Sequence, residues 1–358
     1  MLAKLSEEIP EGELAYEPKW DGFRAIIFRG ENDEVLIQSR DEKPLDRYFP
    51  ELHALFAARL PNGCIVDGEI VMPSDHGLDF DGLQMRLHPA KSRVEKLAKS
   101  SPASFVAFDL LAYEDKDLRE RPQVERREKL EQLFIELRAP LHLTPLTRDR
   151  VTAVRWLAEF EGAGLDGVMV KPTSGAYLPG KRAMLKVKHQ RTADCVVAGF
   201  RWHKSGDDAV GSLLLGLYDD AGELHHVGVT SAFTAARRKT LAQELEPLRA
   251  RALAEHPWKS WATGSESVRM PSGQSRWSAG KDLSWEPIRI ERVCEVKYDH
   301  LQGDRFRHAT LFLRWRQDKA TDACRYDQLE VTPPFELAKI FGAGSTRRPK
   351  VLLRSGLS

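Results

Sequence analysis

One short stretch organises the chain: Glu17-Pro18-Lys19-Trp20-Asp21-Gly22-Phe23-Arg24. Strand-like residues from Leu14 lead into it, and a turn-forming Asp-Gly pair follows the lysine. A lysine amine attacks phosphorus only when it is unprotonated, so burial or neighbouring cations must lower its pKa from the usual value of about 10.4. Because a Lys-x-Asp-Gly string arises by chance in about one chain of this size in ten, the stretch needs support from elsewhere in the sequence.

Three residues downstream of Lys19 offer groups that suit a nucleotide. Glu69 has a carboxylate that can accept from a ribose hydroxyl or hold a metal ion through water; the alternative is a solvated turn acid. Phe108 can stack on a purine, although a plain strand core explains it too. Arg40 has a planar fork that suits ribose or phosphate, and a surface salt bridge is its alternative.

A pair of alternating lysines, Lys186 and Lys188, lies further along the chain. Alternation on a strand places both on one side, where two like charges are costly unless an anion such as a triphosphate lies between them. A solvated edge strand is the alternative. Lys171, which follows the buried-looking run Gly167 to Val170, is a further candidate phosphate contact.

In their order along the chain, these residues resemble the covalent nucleotidyltransferase superfamily of ligases and capping enzymes, over roughly residues 14 to 319. The chain is most similar to the small bacterial ATP-dependent DNA ligases of the C group. The matching segments are Lys19–Arg24, Ser39–Arg40, Asp67–Glu69, Phe105–Asp109, Asp166–Lys171, Leu185–Lys188 and Arg314–Lys319.

The resemblance implies that Lys19 is the catalytic residue and carries AMP taken from ATP. Glu69 and Asp166 are the implied ligands of Mg²⁺ or Mn²⁺, and Asp166 stands where the family usually has the longer Glu. The implied nucleotide-binding residues are Glu17, Trp20, Arg24, Arg40, Glu69, Phe108, Lys171, Lys186, Lys188, Arg316 and Lys319.

Two of these positions carry more specific expectations from the family. A carboxylate at Glu17 near the purine edge would accept from the exocyclic amine of adenine and disfavour guanine, whose O6 is an acceptor. The alternative is that Glu17 points to solvent. The segment with Arg316 and Lys319 is expected to swing over the nucleotide and orient the pyrophosphate leaving group; otherwise it is a common surface strand ending.

The pattern of elements predicts an α+β fold with two domains and a tail. Strands and helices alternate irregularly over residues 1–190, which suits a nucleotidyltransferase (ATP-grasp-like adenylation) domain. Five strands and one helix over 191–331 suit an OB-fold β-barrel. A basic helix, Thr234 to Leu253, is expected to touch DNA, and His189 to Thr192 is the expected hinge. Residues 332–358 form the expected C-terminal tail.

Composition narrows the class of protein. The chain has 358 residues and a net charge of only +1, so a nucleic-acid surface must come from local clustering. The four cysteines lack the spacing of a zinc site, and scattered free thiols suit a reducing cytoplasm. We see no apolar run of membrane-spanning length and no signal peptide at the start of this sequence.

The sequence therefore predicts an ATP-dependent DNA ligase that seals nicks in duplex DNA and has no membrane partner. We expect a monomer in the cytoplasm, associated with the nucleoid, with a role in DNA repair and a repair polymerase as partner. The alternatives are an RNA ligase, another lysyl-nucleotide transferase such as a capping enzyme, and a non-catalytic OB-fold protein that binds nucleic acid.

Overall fold

The computed structural model describes residues 1–32, 34–189, 191–204, 206–262, 284–299, 301–329 and 335–343. The chain forms two compact units. Unit 1 comprises Met1–Lys188 and the described residues beyond Thr332, and unit 2 is His189–Val331. Residues 335–343, which the sequence pattern assigns to a separate tail, are therefore part of unit 1. The remaining tail residues, 332–334 and 344–358, and most of the Trp258 to Trp285 loop lie outside the described residues.

The elements have the following bounds along the chain. The strands are β1 Ala3–Ser6, β2 Leu14–Lys19, β3 Phe23–Arg29, β4 Val35–Ser39, β5 Cys64–Val71, β6 Pro73–Ser74, β7 Gly77–Leu78, β8 Ser104–Tyr113, β9 Lys116–Asp117, β10 Leu141–Leu143, β11 Gly167–Pro172, β12 Met184–Val187, β13 Arg191–His203, β14 Gly206–Tyr218, β15 Leu224–Thr230, β16 Glu286–Pro287, β17 Val293–Tyr298, β18 Leu301–Gln302, β19 Arg305–Phe306 and β20 Leu311–Trp315. The helices are α1 Pro50–Arg59, α2 Phe80–Met85, α3 Lys91–Ser100, α4 Gln123–Phe134, α5 Arg150–Glu159, α6 Ala235–Arg249, α7 Lys259–Ala262 and α8 Leu337–Ala343.

Unit 1 is built on two sheets. The first sheet has the order β1-β12-β11-β2, and the second has the order β10-β8-β5-β3-β4. Met169 and Met184 of the first sheet share an apolar cluster with Ile26, Ile65 and Leu111 of the second, so side chains from both sheets meet in one layer. Further apolar clusters bury the remaining faces of the sheets beneath helices.

Several elements predicted in unit 1 are confirmed. The turn-forming run from Gly30 to Glu34 predicts a hairpin, which forms with Ile27 of β3 opposite Ile37 of β4. The apolar spacing from Leu45 to Arg59 predicts one helix, but the α-helix begins only at Pro50, since proline is favoured in the first helical turn, where its missing N–H costs nothing. Helix α3 was not predicted, because only Val94 and Ala98 are buried along it and they make a narrow apolar stripe.

Unit 2 confirms the predicted OB fold. Its sheet has the order β15-β14-β13-β17-β20, with neighbouring strands antiparallel. A parallel bridge joins Thr230, at the end of β15, to Thr310, just before β20, and the Thr310 N–H donates to the Val229 carbonyl at 2.8 Å. The two outer strands therefore meet, and the sheet curls into a barrel.

The basic helix of unit 2 begins one residue after Thr234, whose hydroxyl accepts from the Arg237 N–H as an N-cap. Its arginines have partners within the unit. Arg238 donates to three backbone carbonyls, Arg237 pairs with Glu244 at 2.7 Å, and Arg249 pairs with Glu246 and Glu286. These arginines, which are expected to contact DNA, therefore already form hydrogen bonds and ion pairs within unit 2.

All four cysteines are free thiols and buried. Across the described residues, no cluster of His, Cys, Asp and Glu is suited to hold a metal ion by protein ligands alone. None of the helices in the described part of the chain combines the length and apolar character needed to cross a bilayer.

Candidate active site

Lys19 is the last residue of β2, beside the start of β11, where Gly167 is its partner in register. The Lys19 amine donates to the Asp166 carboxylate at 2.5 Å, and Lys188 contacts the same Oδ2 at 3.2 Å. Burial acts to raise the pKa of Asp166, but Lys19 and Lys188 outweigh it, and the pKa lies below its usual value. Asp166 therefore stays ionised and holds two lysine amines at one point.

Lys186 adds a third amine to this group. Burial lowers the pKa of Lys186, Lys188 and Lys19 lower it further, and Arg40 acts in the same direction, while Asp166 opposes them. Apart from burial, three cations and one carboxylate therefore act on the pKa of Lys186. We call Lys19, Lys186, Lys188 and Asp166 the lysine cluster; it has the excess of cations that a polyphosphate would neutralise.

Glu69 lies on β5 opposite Arg24 of β3. Burial raises the pKa of Glu69 to about 7, although the positive charges of Lys19 and Arg24 act in the opposite direction. Glu69 is half-buried, and it accepts a hydrogen bond from the backbone of Gly22. Its carboxyl group therefore changes charge near neutral pH, close to the lysine cluster.

Glu17 is buried and does not point to solvent. Its Oε2 accepts from the Lys171 amine at 2.8 Å, and its Oε1 lies 3.8 Å from Nη1 of Arg127, too far for a hydrogen bond. Neither that oxygen nor that nitrogen has a hydrogen-bond partner in the structure. Glu17 and Lys171 therefore form a buried ion pair through Oε2, and Oε1 remains available as an acceptor.

Two phenylalanines of β8 differ in environment. Phe105 is fully buried and packs edge-on against Phe56 in the core. Phe108 is partly exposed; the Lys171 amine lies 4.9 Å from its ring centre and the Arg24 guanidinium 5.8 Å away. Cations favour the face of an aromatic ring, so the Phe108 ring is held in a polar setting where it can offer a face to a base.

Arg24 is fixed by a carboxylate on the neighbouring strand. Its Nε and Nη2 donate to the two oxygens of Asp67 at 3.0 and 2.6 Å, a forked pair. The Tyr177 hydroxyl donates to the same Asp67 at 2.8 Å. Arg24 also lines a cavity of about 800 Å³ with Arg40, which is exposed. The volume suits a nucleotide-sized ligand, but of the predicted nucleotide-binding residues only Arg24 and Arg40 line the cavity, and Lys19 does not.

Trp20 lies in the core and not among the cations. It is buried, its indole N–H donates to the Thr144 hydroxyl at 2.8 Å, and its ring stacks on Phe341 of α8 at 5.3 Å between centroids. The ring of His142 also stacks on Phe341, with 3.8 Å between the ring centroids, and burial lowers the pKa of His142 to about 4. Trp20 therefore anchors the end of β2 next to Lys19.

The predicted residues of unit 2 form a separate cluster within that unit. Arg316 donates through Nη1 to both oxygens of Asp194 and through Nε and Nη2 to Asp318, and Lys319 donates to Asp194 at 2.9 Å. We call these four residues the Asp194 cluster. It brings together the two cations predicted from the sequence, and two carboxylates balance them.

The sequence pattern does not identify the partners of the predicted residues. Asp67 is recognisable only as part of the segment Asp67–Glu69, and no pattern points to Tyr177, Arg127 or Asp194. A buried cation needs a partner, which is a signal that an acid exists, but the partner lies on a different strand and its position in the sequence cannot be read from spacing.

The two suggested metal ligands suit a site that substrate phosphates and water complete better than a site closed by protein ligands alone. Asp166 and Glu69 both lie near Lys19, and among the described residues no group of three or more His, Cys, Asp or Glu side chains is suited to hold a metal ion. Mg²⁺ commonly binds one or two carboxylates and completes its shell with substrate phosphates and water. The residues present are therefore compatible with a metal ion that arrives with a nucleotide.

Comparison with known proteins agrees with this picture. Residues 1–188 match the family model described as ATP dependent DNA ligase domain, and residues 206–319 match ATP dependent DNA ligase C terminal region. A solved Lig E DNA ligase has a TM-score of 0.56 at 17% identity, covering 88% of this chain and 98% of that one, which supports the fold.

Relatives of known name are similar over nearly the whole chain. DNA ligase C2 of Mycolicibacterium smegmatis is 56% identical, over 93% of this chain and 94% of its own. DNA ligase C of Mycobacterium tuberculosis is 54% identical, over 92% and 93%. With both ligase domain models matched in order and two relatives this similar, the chain belongs to the ATP-dependent DNA ligase family.

Proposed function

We propose that this ligase seals nicks in duplex DNA through a covalent AMP on Lys19. The observation that carries the proposal is the lysine cluster, where the Lys19 amine is held 2.5 Å from Asp166 beside Lys186 and Lys188. An excess of positive charge around a positioned amine suits attack on the α-phosphorus of ATP.

The first step transfers AMP to the enzyme. The Lys19 nitrogen forms a bond to the α-phosphorus, the bond from that phosphorus to the bridging oxygen breaks, and pyrophosphate leaves with the electron pair. The attacking nitrogen gives up its proton to water, and Asp166 orients the nitrogen for attack. Lys186 and Lys188 stabilise the negative charge that spreads over the phosphoryl oxygens.

Two further transfers complete sealing. The 5′-phosphate at the nick attacks the phosphorus of lysyl-AMP, which frees Lys19 and leaves AMP joined to the DNA end. The 3′-hydroxyl then attacks the activated 5′-phosphate, loses its proton, and AMP departs as the phosphodiester forms. Lys186 and Lys188 lie beside Lys19 and so stabilise the negative charge that develops when AMP is transferred from that residue.

The adenosine part of the nucleotide is assigned to neighbouring residues of unit 1. Phe108 stacks on the base, Glu69 accepts from a ribose hydroxyl, and Arg40 contacts ribose or phosphate. Glu17 and Lys171 set the preference for adenine at the edge of the base. Arg24 contacts the nucleotide from the side of Asp67, and Trp20 supports the strand that presents Lys19.

Glu69 and Asp166 would hold Mg²⁺ or Mn²⁺ together with phosphate oxygens and water. A bound divalent ion supplies charge neutralisation on the phosphoryl oxygens. Asp166 keeps the charge of the usual glutamate with a shorter reach. Its lowered pKa keeps it available as an anion at neutral pH.

Arg316 and Lys319 are assigned to the leaving pyrophosphate in the first step, as the family resemblance implies. Residues 1–190 form the adenylation domain and residues 191–331 form the OB-fold domain, with the hinge at His189 to Thr192. We further propose a monomer that works on nicked DNA in the cytoplasm, at the nucleoid, beside a repair polymerase.

Mass spectrometry of the intact protein tests the proposal. After incubation with ATP and Mg²⁺, we expect an AMP-sized adduct on a peptide containing Lys19, and none in Lys19→Ala. A nicked DNA duplex and the same duplex with RNA strands then distinguish DNA sealing from RNA sealing. If the wild-type protein forms no adduct with ATP and any divalent ion, the proposed function is wrong.

A further inference from the structure

Asp194 is the acceptor shared by the two cations near the end of unit 2. Arg316 Nη1 donates to its Oδ1 and Oδ2 at 3.0 and 2.9 Å, and Lys319 Nζ donates to its Oδ2 at 2.9 Å. Because both nitrogens contact one oxygen, they lie within about 6 Å of each other. That spacing suits neighbouring phosphoryl oxygens of one pyrophosphate.

The backbone of Asp194 is fixed on both sides. Its N–H donates to Oε1 of Gln328 at 2.8 Å, and its carbonyl accepts from Nε2 of the same residue at 3.1 Å. Asp194 also lies in register with Glu295 on β17, inside the sheet. Its side chain is only 12% exposed. The carboxylate is therefore a rigid reference point for flexible cationic side chains.

Asp318 gives Arg316 a second anchor. It accepts from Nε and Nη2 at 2.9 and 2.8 Å, so Arg316 is held at both edges of its guanidinium group. Arginine and lysine side chains lose rotamer entropy when they are fixed. Here that ordering has already taken place within unit 2, before any ligand contact.

We propose that Asp194 is a positioning residue that presets Arg316 and Lys319 as a pair of cations for pyrophosphate in the first step. The inference rests on the proposed function. It assigns to Asp194 a task that is separate from DNA contact and from the later two transfers, in which no pyrophosphate takes part.

The strand partner of Asp194 offers a matched control. Glu295 accepts from Arg314 at 2.6 Å on the same sheet, and Arg314 is 63% exposed. Glu295→Gln therefore removes one carboxylate charge and one arginine pair at the neighbouring register position. Asp194→Asn removes one charge as well, and it leaves the two backbone hydrogen bonds to Gln328 available.

The test uses the full chain and inorganic pyrophosphate. Lysyl-AMP is formed, excess ATP is removed, and the pyrophosphate concentration that gives half-maximal return of AMP to ATP is measured. For Asp194→Asn we expect this concentration to rise about tenfold, since small displacements of a positioning group cost roughly that much or more. Sealing of a nick that already carries AMP should stay within about twofold.

Glu295→Gln should match the wild type in both measurements, and Asp194→Glu should recover part of the loss. The inference is overturned if Asp194→Asn leaves the pyrophosphate dependence unchanged, or lowers the half-maximal concentration, since Asp194 would then restrain the cations. It is also overturned if nick sealing slows by the same factor by which the half-maximal pyrophosphate concentration rises, since the role is then only structural. Absence of lysyl-AMP in the wild type refutes the proposed function instead.

Discussion

The lysine cluster of unit 1 and the Asp194 cluster of unit 2 both gather cations, yet they differ in charge balance. Asp166 meets Lys19 and Lys188 together, and the pKa of Lys186 is lowered by burial and by its cationic neighbours. In unit 2, hydrogen bonding to Asp318 and the charge of Asp194 raise the pKa of Arg316.

The difference indicates two ways of preparing for a phosphate. A cluster with surplus positive charge attracts a polyanion and gains the more from binding it, whereas a balanced cluster stores its cations in a fixed geometry at little electrostatic cost. The first arrangement favours affinity, and the second favours orientation.

The largest expected effect comes from removing surplus charge. Lys188→Ala and Lys186→Ala should each slow lysyl-AMP formation by about a hundredfold, as loss of one stabilising group around a phosphoryl oxygen usually does. Single-turnover transfer from radiolabelled ATP measures the rate. Lys239→Ala is the control, because Lys239 is exposed and pairs with Asp208 in unit 2. Equal rates in all three variants would contradict the surplus-charge account.

A smaller effect is expected from a substitution that increases the surplus of positive charge in the lysine cluster. Asp166→Asn removes the carboxylate that opposes three lysines, so we expect ATP to bind about tenfold more tightly in the presence of EDTA, where no adenylation occurs. Isothermal titration measures the dissociation constant. The same variant should form lysyl-AMP more slowly with Mg²⁺, since a metal ligand is lost. Weaker ATP binding in EDTA would count against the comparison.

Glu69 gives an effect of a few fold with pH. Its pKa of about 7 means that it becomes an acceptor as pH rises through neutrality. Adenosine, which lacks phosphates that titrate, should bind a few times more tightly at about pH 8 than at about pH 6, and Glu69→Gln should lose this dependence. Stability changes in the opposite direction: the folded state binds the proton more tightly than the unfolded state, so the free energy of unfolding falls as pH rises from about 4.5 to about 7.

The smallest effect extends the comparison to α6. Arg249 is paired with Glu246 and Glu286, so we expect Arg249→Gln to change the slope of log affinity for nicked DNA against log salt by less than about 0.5. A residue that contacts a phosphate contributes about 0.9. Filter binding over a salt series measures the slope, and a change near 0.9 would mean that Arg249 leaves its partners for DNA.

The sequence predicted the elements and residues that a short pattern identifies. The strand before Lys19, the hairpin at Gly30 and the barrel of unit 2 follow from alternation, turn residues and motif order, since each depends on neighbours in the chain. Sequence order also predicted that the lysines belong to one site, through the family resemblance.

What the sequence could not predict depends on residues far apart in the chain. The contact of Asp194 with Arg316 and Lys319 spans over a hundred positions, and so does the contact of Asp166 with Lys19. Burial of Glu17 with Lys171 is another case, because a carboxylate in an exposed turn and one in a buried pair look alike in a sequence. Spacing reveals which side chains share a face, but not which carboxylate on another strand completes them.

Helix α8 has a consequence for how the protein is made. Ile340 is fully buried in unit 1, and Phe341 covers Trp20 beside the residue that takes up AMP. A ribosome releases all of unit 2 before it releases this helix, so the nascent chain cannot finish packing its first unit until the second has emerged. A messenger RNA truncated within the region that encodes the barrel would thus yield a polypeptide that lacks helix α8, which supports Trp20 beside Lys19, as well as part of its barrel.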